Sequence, residues 1–94
     1  MHVTSIGASS NAVDSDPTTR FVQGCVKRHV QQKYGGVVRK ISPIGNSTYN
    51  DKHAWYVKAI FASAQGMFYG EFYVQIKGNR PSDLYVAHDE VRPH

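Results

Sequence analysis

Residues 53–78 read HAWYVKAIFASAQGMFYGEFYVQIKG. Most of the chain's aromatic side chains stand in this stretch, its one tryptophan among them, and their spacing decides the fold. Over 54–64 and again over 68–77, apolar and polar positions alternate with a period of two, the pattern of strands that turn one face to a core. Trp55, Val57, Ala59 and Phe61 share one face of the first strand, and Tyr56, Lys58, Ile60 and Ala62 share the other. In the second strand Phe68, Gly70, Phe72, Val74 and Ile76 oppose Tyr69, Glu71, Tyr73, Gln75 and Lys77. A two-residue loop at Gln65-Gly66 makes a hairpin that pairs Ala64 with Met67. That register sets Phe61 across from Gly70, Ala59 from Phe72, Val57 from Val74, and Trp55 from Ile76. A slip of one residue would set the apolar face against the polar one, so pattern and turn agree. Trp55, Phe61, Phe68 and Phe72 are therefore expected in the core.

Upstream, the spacing predicts a helix over 17–34. Asp16 is a good N-cap, and Pro17 suits the first helical position, where its missing N–H costs nothing. Phe21, Cys25 and His29 follow a four-residue step, as do Val22, Val26, Val30 and Tyr34, which makes one apolar stripe. Gly35-Gly36 supplies a left-handed stop. Gly24 inside the helix costs about 1 kcal/mol relative to alanine, which predicts close packing against another backbone. After the helix only strand-like segments follow, at 37–44, 54–64, 68–77 and 84–88, separated by the turn signals PIGNSTYND, QG and GNRPSD. The expectation is an α+β domain, one N-terminal helix packed on a curved four-stranded antiparallel sheet. Residues 1–19 read as a flexible N-terminal arm carrying a short edge strand at His2–Ile6, and residues 20–94 as the single α+β domain.

Ninety-four residues leave no room for a second core. No apolar run approaches the roughly 18 residues of a membrane helix, and the opening MHVTSIGASSNAVDSD has no signal-peptide pattern. Cys25 is the sole cysteine, so no internal disulfide is expected and a reducing, cytoplasmic compartment is the simpler reading. The net charge of +4 is uneven. Arg20, Lys27, Arg28, Lys33, Arg39 and Lys40 fall within 20–40 with no acid among them. Such a cluster suits nucleic acid, anionic lipid or an acidic protein surface, or is simply a solvated helix face.

Chemistry-bearing motifs are weak. Cys25 and His29 lie one turn apart, but a mid-helix cysteine on an apolar stripe lacks the electropositive, accessible setting that makes a thiolate. The histidines show no metal-binding spacing, and no glycine-rich phosphate loop or nucleophile elbow occurs. Neither a catalytic residue, a metal nor a cofactor is expected. Binding remains. Tyr56, Lys58, Ile60, Tyr69 and Tyr73 fall on the sheet face turned from the helix, and tyrosine supplies interface area at low entropic cost. The expected function is a non-catalytic protein-binding module, an inhibitor of its partner among the options, with a second copy of the chain as one form of partner. The alternative is a nucleic-acid-binding domain using Lys27, Arg28, Lys33, Arg39 and Lys40, though these cations fall on the helix and first strand, away from the tyrosines.

The layout of arm, long helix and antiparallel strands resembles the cystatin-like roll over roughly residues 6–92. HAWYVKAIFASAQGMFYGEFYVQIKG stands where cystatins and stefins have their central hairpin, and Gly7 where their arm carries its glycine. The resemblance implies the fold. The family's inhibitory Gln-x-Val-x-Gly hairpin has no counterpart in SPIGNSTYNDKHA, and GNRPSD offers only Pro81 where cystatins often have Pro-Trp. The same order of elements occurs in truncated relatives of the nuclear-transport-factor-2-like fold.

Overall fold

The computed structural model describes residues 16–94; the expected edge strand at His2–Ile6 and Gly7 lie outside them. Helix α1 runs Pro17–Tyr34, as the spacing predicts. The Asp16 carboxylate accepts the Thr18 N–H at 3.3 Å. Gly35 closes the helix at φ 63°, and its N–H donates to the Gln31 carbonyl at 3.0 Å.

Five antiparallel strands follow: β1 (Val37–Ile41), β2 (Gly45–Tyr49), β3 (Lys52–Ser63), β4 (Gly66–Ile76) and β5 (Leu84–Pro93). Their order is β1-β3-β4-β5, with β2 also paired to β3. The first strand expected over 37–44 ends at Ile41, and β2 forms inside PIGNSTYND, where a turn was expected. Pro43 has no N–H to donate, which ends the ladder. Just before it, the Ser42 N–H still donates to the Lys58 carbonyl at 2.8 Å, and the Ser42 hydroxyl accepts the Lys58 N–H at 2.9 Å. The chain then re-enters the same edge as β2, which turns into β3 through Asn50 and Asp51 at φ 53° and 64°. Positive φ at both central residues is the mark of a tight hairpin matched to strand twist.

The β3–β4 hairpin keeps the expected faces but not the expected partners. Ser63 pairs with Gly66, so Phe61 opposes Phe68, Ala59 opposes Gly70, Val57 opposes Phe72, and Trp55 opposes Val74. The loop is Ala64-Gln65, and Gly66, at φ 125°, takes the conformation that only glycine adopts freely. A shift of two residues leaves every side chain on its face, so alternation alone could not exclude it. β5 extends to Pro93, five residues past the expected end. Asp89 interrupts the apolar alternation there but is satisfied by the helix.

The inner face packs on α1 through Val22, Cys25, Val26, Val30, Val57, Ala59, Phe61, Phe72 and Val74. Trp55 and Phe68, both expected in the core, lie half-buried at its margin. Phe21 is 45% exposed, since it sits at the edge of the helical stripe. Gly70 has a packing reason: a Cβ there would stand 2.6 Å from Phe72 Cζ on the same strand. Gly24 has none, because a Cβ would meet only Arg28 Nη1, at 3.5 Å. The close backbone approach expected at Gly24 is absent.

Candidate functional site

Alternation turns Tyr56, Lys58, Ile60, Tyr69, Glu71 and Tyr73 away from the helix, onto the outer face of β3 and β4. The pairing of β5 adds Tyr85, His88, Glu90 and Arg92 to that face. Its two ends differ. At one end the tip of the β2–β3 hairpin bends over the sheet, so that the Tyr49 ring stacks on His88 at 5.2 Å and lies 6.1 Å from Tyr73. Tyr56 and Tyr73 pack at 5.2 Å beside them. Beneath this roof Ala54 is fully buried and Gln75 is only 6% exposed. Gln75 donates its amide to the Tyr49 carbonyl at 2.8 Å, with the Lys52 and His53 carbonyls at 3.4 and 3.3 Å, and accepts from the Tyr85 hydroxyl at 3.3 Å. A glutamine expected on an open face is instead the pin of a small second core. Tyr49 stands in PIGNSTYND, whose residues signal a turn, and nothing in its spacing marks the fold-over; Tyr85 stands in the last expected strand and joins the cluster through the β4–β5 register.

The other end of the face is open. Lys40, Ile41, Ser42, Lys58, Ala59, Ile60 and Tyr69 line a depression of about 250 Å³. Lys40 arrives there because Arg39 is the extra residue of a bulge between Val38 and Lys40, which sets Lys40 across from Ile60. Among the described residues no carboxylate oxygen lies within ion-pair distance of Lys40 or Lys58. The acids of the face are engaged elsewhere. Glu71 accepts from the Tyr69 hydroxyl at 3.2 Å and lies 3.8 Å from Arg92, while Glu90 holds His88 at 3.1 Å. Arg92 also sits over the Tyr69 ring, 4.7 Å from its centroid. Burial, and then the Glu71 carboxylate beside it, push the Tyr56 hydroxyl up to about 12. Tyr69 is raised for the same reasons in the same order. These tyrosines are neutral hydrogen-bonding groups at physiological pH.

The five cations of the alternative site are not brought together. Lys27 and Arg28 lie exposed on α1, Arg39 on the β1 bulge, and Lys40 on the outer face. Lys33 donates to both carboxylate oxygens of Asp89, each at 3.2 Å.

Asp89 is the centre of an inner polar cluster that the sequence did not reveal. It projects from β5 toward α1, where His29 Nε2 lies 2.7 Å and the Tyr34 hydroxyl donates at 2.9 Å. Burial raises the Asp89 carboxyl, but the hydrogen bonds from His29, Tyr34 and Lys33 outweigh it and hold it below the ordinary value. The grouping of Cys25, His29 and Asp89 invites comparison with a nucleophile, base and orienting acid. The thiol answers it: Cys25 is 6% exposed, and burial pushes its pKa up despite Arg28, the reverse of an activated thiolate. The cluster ties helix to sheet.

A second apolar groove, about 260 Å³, lies at the other end of the helix between Phe21, Trp55, Ile76 and Leu84. Among the described residues no group of three or more His, Cys, Asp or Glu is arranged to hold a metal ion, and no helix is long and apolar enough to cross a membrane. Neither a protein-family model, nor a curated protein, nor a solved structure matches this chain.

Proposed function

We propose that this protein is a non-catalytic protein-binding module whose partner docks on the outer face of the sheet, at the end that Tyr49 leaves open. Covering a partner's working surface in this way would make it an inhibitor of that partner. The observation that carries the reading is the depression at Ile60 and Tyr69, apolar at its floor and flanked by Lys40 and Lys58. An apolar centre inside a polar rim is the anatomy of a protein interface. Nucleic acid is the second reading, favoured by the meeting of Lys40 and Lys58 on the tyrosine face. Against it, the ring faces that would stack on bases are occupied, Tyr69 by Arg92 and Tyr73 by Tyr49, Tyr56 and His88. Arg92, on the same face, is engaged by Glu71 and the Tyr69 ring, and Lys27, Arg28 and Lys33 lie off it on α1, so no continuous track for phosphates forms.

The test is cross-linking in the native host with an amine-reactive reagent. Protein cross-links should map to Lys40 and Lys58 and not to Lys27. They should vanish in the double variant Ile60→Ser with Tyr69→Ser, provided that its thermal melt stays close to wild type. Cross-links that map elsewhere, or that survive the double substitution, sink the proposal.

A further inference from the structure

We infer that the segment docking on this face is acidic as well as apolar: it places a carboxylate between Lys40 and Lys58 and an aliphatic or aromatic side chain over Ile60, against the edge of Tyr69. The inference rests on the interface reading above and adds the chemistry of the partner. Its basis is charge. Lys40 and Lys58 flank one apolar depression, both are exposed, and neither has an acid partner among the described residues. The Ser42 hydroxyl accepts the Lys58 N–H, so the backbone beneath Lys58 is held. Glu71 stands across from Lys58 in the β3–β4 register but turns its carboxylate to Tyr69 and Arg92, as Glu90 does to His88, so Glu71 reduces the positive charge at the depression without forming an ion pair with Lys58.

A second copy laid on this face about an axis parallel to the strands would set Lys40 against its Arg92 but Lys58 against its Glu71, so self-association gains no net charge complementarity, whereas an acidic segment does. Carboxylate is favoured over phosphate because the cations here are a local pair beside an apolar floor, not a row.

The experiment selects short random peptides displayed on phage against the immobilised full chain, then titrates a selected peptide by NMR. Enrichment of sequences pairing Asp or Glu with Leu, Ile or an aromatic residue is expected, with shifts at Lys40, Lys58, Ile60 and Tyr69. Lys40→Ala with Lys58→Ala should weaken that peptide by about tenfold or more and flatten its salt dependence, while Lys27→Ala leaves it unchanged. The charge-reversed pair, Lys40→Glu with Lys58→Glu, should select basic peptides instead. Neutral or basic peptides on wild type that still shift Ile60 and Tyr69 would overturn the acidic inference and leave the interface reading standing. Peptides that shift other residues, or no enrichment, would overturn both. Binding of an oligothymidine probe lost with the two lysines would replace them with the nucleic-acid reading.

Discussion

The two faces of the sheet carry similar loads of aromatic side chains and use them differently. On the inner face Phe61 and Phe72 are wholly buried against α1, and their value is area removed from water. On the outer face no helix covers Tyr56, Tyr69 and Tyr73, all half-buried; a hairpin tip folds across one end only, over Tyr73, while Arg92 covers Tyr69. The inner face is covered along its middle by the helix, with an apolar groove only at its end. An outer face closed by a hairpin leaves its far end open, with two lysines beside it that have no ion-pair partner among the described residues. The difference teaches that the outer tyrosines are not one platform: Tyr73 belongs to a small core under Tyr49, and Tyr69 to the open end.

The contrast is broken most severely from inside. Phe72→Ala should cost about 3–5 kcal/mol, a large share of the roughly 5–15 kcal/mol that such a domain has. Tyr69→Ser on the open outer end should cost about 1 kcal/mol or less. Denaturant melts of the two variants measure the gap, and equal losses would erase the distinction between the faces.

The polar clamp between helix and β5 comes next. Asp89→Asn removes the charged acceptor of His29, Lys33 and Tyr34 and should cost about 1.5–3 kcal/mol near neutral pH. The sign of its pH dependence follows from the lowered folded pKa. The stabilisation is complete above the ordinary carboxyl value of about 3.9 and is lost as pH falls through the lower folded value. Wild type and variant should therefore converge in thermal stability in strong acid and draw apart as pH rises to about 4–5, above which the gap is constant. A constant offset across that range would show that the carboxylate's charge contributes nothing.

The smallest effect has the opposite sign. Gly24→Ala should raise stability by up to about 1 kcal/mol, through helix propensity and a less free unfolded chain, because its Cβ meets only the end of the Arg28 side chain. A loss on calorimetry would mean that α1 is packed more tightly at that turn than Arg28 allows.

The sequence by itself determined what local rules govern: the helix from Pro17 to Tyr34 with its cap and glycine stop, the strand character of 53–78, and which side chains share a face. Each follows from periodicity of 3.6 or two, or from the backbone preferences of Pro, Gly and Asp, none of which needs a distant partner. Tertiary structure alone decided the rest. It chose among hairpin registers that differ by two residues and so leave the faces unchanged. It returned β2 to the sheet after Pro43, laid Tyr49 over Tyr73 and His88, and buried Gln75 beneath it. It also turned Asp89, a polar break in β5, into the acceptor for three side chains of α1. These depend on groups tens of residues apart, and only three-dimensional packing determines whether such groups meet. The candidate site has the same origin: Tyr69, Ile60 and Lys58 are placed by alternation along the strands, but Lys40 joins them through the bulge at Arg39.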